Sequence, residues 1–175
     1  MKQSGTRFDV IGQLGALRRY ARSLTRGGSD AEDLVHDTLM RAYESRSTFR
    51  ADGNIRAWLL TILHNVFIDR TRARKSETAR NEQALYLADD SIEAPQEHSV
   101  RLSEVREAFL GLPEDQRAAL HLVAIEGLSY QQAADALGVP VGTLMSRIGR
   151  ARSTLRDMEN APPKPSHLRI VGGSQ

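Results

Sequence analysis

The sequence has no cysteine, no proline before residue 95, and no apolar run long enough to cross a membrane. The absence of cysteine excludes disulfides, thiol nucleophiles and cysteine-based zinc sites, and it fits a reducing compartment. The amino-terminal stretch also lacks the apolar segment of a signal peptide, so we expect a soluble cytoplasmic protein. Without proline, the first 94 residues can form long uninterrupted helices.

Charge is unevenly distributed, although the net charge of the whole chain is only +2. Residues 1–75 contain 14 Lys or Arg and 8 Asp or Glu, a net charge of +6. Residues 76–98 carry a net charge of −5, and from Pro140 to Arg156 there are four Arg and no acidic residue. Because basic segments attract phosphate and acidic segments repel it, this pattern favours two nucleic-acid-binding segments flanking an acidic linker.

Apolar periodicity predicts an all-α protein and indicates no β-strand. Helices are predicted over about 8–24, 29–46, 54–75, 100–110, 114–125, 129–137 and 140–157. We therefore expect two small helical domains, at 8–75 and 99–158, joined by the acidic linker at 76–98. The residues from 159 to 175 have the composition of a disordered tail.

Two helix starts carry the S-x-x-E/Q pattern of a capping box. Ser29 with Glu32 would begin the second helix, and Ser129 with Gln132 would begin a short helix late in the chain. In both cases the serine side chain would accept a hydrogen bond from a free backbone N–H of the first turn.

The segment from Ser129 to Asp157 has the spacing of a helix-turn-helix motif, with a basic second helix. Near the start of that helix, Thr143, Ser146 and Arg147 could reach base edges. Farther along, Arg150 and Arg152 could contact phosphates, or Arg150 a guanine. The alternative is an ordinary helical hairpin with solvated arginines, but the absence of acidic residues favours DNA.

The end of the third helix changes from apolar to polar and basic. The residues concerned are His64, Asn65, Val66, Phe67, Asp69 and Arg70, followed by Arg72, Arg74 and Lys75. Amide, aromatic and guanidinium groups are suited to hold an unstacked base. The alternative is a solvated basic helix end. Trp58 and Ile62, earlier in this helix, are predicted to belong to the core.

A third group lies away from the apolar stripe of the second helix and suits either a protein partner or solvent. It comprises Asp33, His36, Asp37, Met40 and Arg41. No sequence pattern indicates a catalytic site. The five histidines are scattered, and the sequence has no metal-binding spacing and no phosphate-binding glycine loop. We expect no enzyme activity, no cofactor and no metal.

Three segments, in their order and spacing, resemble the bacterial extracytoplasmic-function (ECF) sigma factors of RNA polymerase. They are DAEDLVHDTLMRAY (30–43), FRADGNIRAWLLTILHNVFIDRTRAR (49–74) and LPEDQRAALHLVAIEGLSYQQAADALGVPVGTLMSRIGRARSTL (112–155). The resemblance covers about residues 8–158. The phrases LRRYARSLT and NIRAWLLTILHN are most similar to the branch that serves general stress responses in alphaproteobacteria.

This resemblance implies a role for each group of residues. Region 2, the first domain, would bind core polymerase at the β′ clamp helices through Asp33, His36, Asp37, Met40 and Arg41. It would capture an unpaired base of the −10 element at Asn65, with His64, Val66, Phe67, Asp69 and Arg70 around it, while Arg72, Arg74 and Lys75 follow the backbone. Region 4, the second domain, would bind the β flap and read the −35 duplex through Gly142, Thr143, Met145, Ser146, Arg147 and Arg150.

The sequence departs from the family pattern at three of these positions. Most relatives have Gln in place of His36, a basic residue is frequent in place of Met145, and a larger side chain is frequent in place of Gly149. The last two departures predict an altered −35 preference.

The resemblance further implies a regulated transcription initiation factor that has an anti-sigma partner and is not inserted into a membrane. Two alternatives remain at this point: a sigma mimic that sequesters an anti-sigma factor, and a stand-alone helix-turn-helix regulator.

Overall fold

The computed structural model describes residues 9–25, 27–50, 52–80 and 100–159, which contain α-helices and no β-strand. The α-helices are α1 (Leu14–Thr25), α2 (Gly28–Glu44), α3 (Ile55–Arg80), α4 (Val100–Gly111), α5 (Glu114–Leu120), α6 (Tyr130–Leu137) and α7 (Val141–Glu159). The all-α prediction is confirmed. The predicted tail from 160 onwards and most of the predicted linker lie outside the described residues. Over the described ranges, no helix is long and apolar enough to cross a membrane.

The N-terminal domain consists of α1, α2 and α3, which pack against one another. The apolar stripe of α2 is buried and consists of Ala31, Leu34, Val35, Thr38 and Ala42. Helix α3 contributes Leu59, Leu60 and Leu63, all fully buried. Trp58 is half-buried and packs on Phe49, with 5.3 Å between the ring centroids, so it serves the core as predicted.

Helix α3 begins where the sequence predicts but ends later than predicted. The side chain of Asn54 caps its start by accepting a hydrogen bond from the backbone N–H of Ala57 at 3.2 Å. The helix then runs to Arg80, beyond the predicted end at Lys75. The first residues of the predicted linker are therefore helical, since polar and charged residues continue a helix as readily as they form a loop.

The predicted capping box at Ser29 is wrong. Helix α2 begins at Gly28 with Gly27 as its N-cap, and no side chain caps it. Ser29 thus lies within the first turn, where its side chain is too far along the helix to cap the free N–H groups. Glu32 instead accepts a hydrogen bond from Arg18 of α1 at 3.1 Å, which joins the two helices.

The capping box at Ser129 is confirmed. Its hydroxyl accepts a hydrogen bond from the backbone N–H of Gln132 at 3.2 Å, and the Gln132 side chain accepts one from the backbone N–H of Ser129 at 3.1 Å. Helix α6 then ends at Gly138, whose φ of 64° lies in the left-handed region that favours glycine. The cap thus fixes the start of α6, and Gly138 sets the short turn between α6 and α7.

The C-terminal domain, α4 to α7, buries one face of α7 against α5 and α6. Leu144, Ile148 and Ala151 are buried, while Val141 and Leu155 are half-buried, as the 3-4 spacing predicts. Between α5 and α6, residues His121–Ile125 form a π-helical turn. This turn widens the helix by one residue and brings His121 beside Glu126.

The two domains pack directly on each other, with α1 against α5 and α3 against α6. Arginine side chains form hydrogen bonds from one domain to the other. Arg19 of α1 donates two hydrogen bonds to the carboxylate of Glu126, at 3.0 and 2.9 Å. Buried Arg117 of α5 donates to the backbone carbonyl of Ser23 in α1. The domains therefore share one buried contact region, and their apolar residues form one continuous core.

Buried titratable groups line this contact between domains. Tyr20 shares a 3.0 Å hydrogen bond with Nδ1 of His64, and burial raises the pKa of its hydroxyl. Burial, aided by the positive charge of Arg147, lowers the pKa of His64 to about 4. Burial raises the pKa of Glu126, but hydrogen bonds from His121 and Arg19 outweigh it and hold that pKa below its usual value. His64 is therefore neutral and Glu126 ionised at neutral pH.

We expect the folded state to lose stability as the pH falls from about 6.5 towards 4. An unfolded chain protonates its histidine near pH 6.5, whereas His64 in the fold resists protonation down to about pH 4. The free energy of unfolding should fall by about 3 kcal/mol across this window. Urea unfolding at several pH values measures it, and His64→Gln should flatten the dependence. A wild-type stability that is constant from pH 7 to 4.5 would contradict the assignment.

We also expect Ser129→Ala to lower the free energy of unfolding by about 1 kcal/mol, because it removes a formed cap. Ser29→Ala is the matched control, since Ser29 caps nothing and should change the value little. Urea unfolding of both variants at neutral pH provides the measurement. Equal losses in the two variants would mean that the cap at Ser129 contributes nothing of its own.

Candidate nucleic-acid interface

The face of α7 opposite its buried stripe is open to solvent. Met145 is 53% exposed, and Gly142, Ser146, Gly149 and Arg150 are exposed beside it. A Cβ at either glycine would meet no atom within 4 Å. Both positions therefore leave open space on this face of the helix, where a larger residue would place a side chain. The major groove of DNA admits an α-helix, and an exposed face without acidic residues suits such a contact.

Two of the predicted −35 residues are less accessible. Thr143 is half-buried, and its carbonyl accepts a hydrogen bond from the hydroxyl of Ser146 at 3.1 Å. Arg147 is also half-buried and forms an ion pair with Asp115 at 3.2 Å. Arg147 thus contributes to packing between α5 and α7 in this arrangement. The most exposed charged group in the predicted set is Arg150, followed along the helix by Arg152.

The predicted −10 residues divide between opposite sides of α3. Asn65 and Asp69 are exposed and lie on one face with Arg72, since they are four and seven residues apart. His64 and Phe67 are each only 9% exposed and belong to the interior, and Val66 is half-buried. The structure therefore does not bring the predicted set together as one accessible pocket: a base can reach Asn65 and Asp69, but not the imidazole of His64.

The basic end of α3 turns partly towards α2. Arg70 forms an ion pair with Asp37 and donates to the carbonyl of Asp33 at 3.0 Å. Arg74 pairs with Asp30 at 3.4 Å. The side chains of Arg70, Arg74 and Lys75 border a cavity of about 500 Å³. The apolar wall of this cavity includes Phe67, Leu24 and Leu34. Two members of the predicted −10 and polymerase-binding groups, Arg70 and Asp37, are thus direct neighbours.

The predicted partner surface of α2 is entirely exposed. It contains Asp33, His36, Asp37, Met40 and Arg41, with Met40 52% exposed. The structure adds Tyr43, which is 64% exposed and has the guanidinium of Arg46 over its ring at 4.4 Å. Sequence reasoning missed Tyr43, although its position three residues after Met40 places it on the same helix face. An exposed apolar and aromatic stripe of this kind is typical of a protein-binding surface.

Within the described residues, no cluster of three or more side chains could hold a metal ion. The site consists instead of three helix surfaces: a basic face on α7, a polar and basic end on α3, and a mixed apolar and charged face on α2. Such surfaces support recognition of DNA and protein by contact.

Comparison with known proteins agrees with this arrangement. Residues 12–77 match Sigma-70 region 2, and residues 102–155 match Sigma-70, region 4. The chain is 36% identical over 174 residues to the ECF RNA polymerase sigma factor EcfG of Rhodopseudomonas palustris, and the match covers 96% of both chains.

Two solved structures share the fold. One is the sigma factor RpoE of Bartonella quintana in complex with the anti-sigma factor NepR, with a TM-score of 0.75 and 37% identity over 85% of this chain and 92% of the other. The other is CnrH in complex with the cytosolic domain of CnrY, with a TM-score of 0.59 and 31% identity over 86% and 84% of the two chains. The chain therefore belongs to the ECF family of RNA polymerase sigma factors, and it directs transcription initiation.

Proposed function

We propose that this sigma factor reads the −35 element as duplex with the exposed face of α7. The observation that carries the proposal is the acid-free surface around Met145, Ser146 and Arg150, which follows the turn at Gly138. Arg150 would contact phosphate or guanine. Met145 can touch a thymine methyl group but cannot form the paired hydrogen bonds that arginine makes with guanine.

The −10 element would be read at the exposed face of α3, with Asn65 holding an unpaired base and Asp69 and Arg72 beside it. Opening a duplex costs about 1.4 kcal/mol for each stacked step. Contacts to one captured base return roughly 1–3 kcal/mol. One pocket can therefore nucleate melting but cannot open a whole bubble, so core polymerase must supply the rest. In this scheme the sigma factor makes and breaks no covalent bond.

The mixed face of α2, from Asp33 to Tyr43, would bind core polymerase. Its exposed Met40 and Tyr43 supply apolar area, and the surrounding charges supply orientation. Because RpoE was solved in complex with the anti-sigma factor NepR, we also propose that an anti-sigma factor restrains this protein in the cytoplasm. The similarity to EcfG and RpoE supports a role in a general stress response.

The alternative of a sigma mimic is less well supported. A mimic needs only the surface that an anti-sigma factor recognises, and it has no use for an exposed base-contacting amide or an acid-free helix face. This chain presents both, at Asn65 and along α7. A stand-alone helix-turn-helix regulator would in turn not need the match to Sigma-70 region 2.

Run-off transcription with purified core polymerase over a promoter library tests the function. The wild type should yield transcripts that depend on it, and Asn65→Ala should reduce open complexes roughly tenfold or more, because a contact of about 1–3 kcal/mol is lost. Binding to core polymerase should be unchanged. Ser76→Ala, exposed on the same helix, is the control. Full open-complex formation by Asn65→Ala would remove the base-capture assignment.

Arg150→Ala should weaken binding to the −35 duplex and reduce the dependence of affinity on salt. Each phosphate contact contributes about 0.9 to the slope of log affinity against log salt, so the slope should fall by about 1. Arg106→Ala removes an equally exposed arginine from α4 and should leave the slope unchanged. Affinity measured by fluorescence anisotropy at several salt concentrations decides the matter, and an unaltered slope for Arg150→Ala would rule out a phosphate contact.

A further inference from the structure

An acidic side chain lies beside the exposed face of α7. Oδ2 of Asp115, in the first turn of α5, lies 3.2 Å from Nε of Arg147. The side chain of Arg147 is 25% exposed and that of Asp115 is 46% exposed, so water reaches both partners. The ion pair therefore lies at the border of the surface proposed to contact the −35 duplex, and not inside the domain core.

The carboxylate of Asp115 is fixed by its own helix. Oδ1 accepts a hydrogen bond from the backbone N–H of Gln116 at 2.9 Å, which leaves Oδ2 to Arg147. Helices α5 and α7 also pack on each other within one apolar core, so their spacing does not depend on this ion pair. Asp115 can therefore be changed without displacing α7.

Arg147 lies among the residues proposed to contact DNA. Residues three and four apart are neighbours on a helix surface, so Arg147 lies on one flank of α7 with Thr143 and Arg150. Arg150 is exposed and is proposed to contact phosphate or guanine. A guanidinium is always charged and matches phosphate with two hydrogen bonds. Arg147 is therefore a second arginine with the position and the chemistry of a phosphate contact.

The pairing with Asp115 opposes such a contact. The carboxylate cancels the charge of Arg147 at short range, and it repels a phosphate that approaches the same flank of α7. His64 of α3, on which the charge of Arg147 acts, has a pKa of about 4. His64 is therefore neutral at neutral pH and does not compete with Arg147 for the carboxylate. A phosphate must displace Asp115 to reach Arg147.

We propose that Asp115 is a positioning residue that holds Arg147 away from the DNA backbone and so limits phosphate-driven binding of α7 to duplex DNA. Contacts to phosphates position a protein on the duplex but do not read its sequence. With Arg147 held back, binding depends more on the residues around Met145 and Ser146, which can reach base edges. This inference rests on the proposed reading of the −35 duplex by α7.

The first turn of α5 offers a matched pair of variants. Asp115→Asn removes the charge that pairs with Arg147 and nearly preserves the shape of the side chain. Glu114→Gln removes an equal charge from the preceding residue, which is exposed, and leaves the pair of Asp115 with Arg147 in place. Both variants raise the net charge of the chain by one. A difference between them therefore reports the ion pair and not the overall charge.

Duplex binding by the full chain, followed by fluorescence anisotropy at several salt concentrations, provides the measurement. One probe is the −35 duplex of a promoter selected by run-off transcription, and the other is an unrelated duplex of equal length. Asp115→Asn should steepen the slope of log affinity against log salt by about 0.9, as one added phosphate contact does. Its affinity should rise up to about fivefold for both duplexes, which is the strength of a solvent-exposed ion pair. Glu114→Gln should keep the wild-type slope.

A variant of Arg147 separates this role of Asp115 from a purely structural one. If Asp115 acts through Arg147, Asp115→Asn should have no effect on the slope once Arg147 is replaced by alanine. The double variant Asp115→Asn/Arg147→Ala should therefore have the same slope as Arg147→Ala alone. A structural defect caused by Asp115→Asn would persist in the double variant. Circular dichroism verifies that each variant keeps its helices.

Two results would overturn the role of Asp115. One is an equal slope for folded Asp115→Asn and Glu114→Gln, and the other is a steeper slope that persists without the guanidinium of Arg147. A failure of the proposed function has a different signature. Arg150→Ala, which leaves the ion pair intact, would then not change the slope, and the wild type would bind both duplexes equally. That result would overturn the −35 assignment and this inference together.

Discussion

The buried carboxylate of Glu126 is the constraint on which the arrangement of this molecule depends. An ionised carboxylate without access to water is stable only when hydrogen-bond donors surround it. Arg19 reaches it from the other domain, and His121 reaches it through the π-helical turn. The same contact buries His64 and Tyr20 together. Together with the shared apolar core, the pairing of this one negative charge holds the C-terminal domain against α1.

The two surfaces proposed to read the promoter differ in their accessibility. The face of α7 around Met145 and Arg150 remains in solvent, whereas His64 is covered between the domains and Arg147 is held by Asp115. Under the proposed function, specificity at the −35 element comes chiefly from these exposed residues, with Gly149 leaving open space on the same face. At the proposed −10 site, Asn65 is the accessible amide, and the aromatic ring of Phe67 supports α3 from within.

The two serine caps show how far local patterns reach. Both have the same spacing, yet only Ser129 forms its capping box. Ser29 does not cap because the helix starts two residues earlier, with Gly27 as its N-cap. Glu32 pairs instead with Arg18 and Arg22 on a neighbouring helix. Sequence spacing identifies residues that can pair, but a competing partner from a distant segment decides whether they do. The ion pair between Arg70 of α3 and Asp37 of α2 could not be predicted from the sequence either, because its partners lie thirty-three residues apart.

The sequence by itself determined the all-α class, the buried stripes of α2 and α7, the helix-turn-helix spacing and the family, because these depend on periodicity and on motifs within single segments. The tertiary structure alone decided which site residues face solvent. His64 and Phe67 share a helix with Asn65 and have equally plausible chemistry, but packing against α1 and the C-terminal domain turns them inward. Accessibility is set by contacts between segments far apart in sequence, and no local pattern records them.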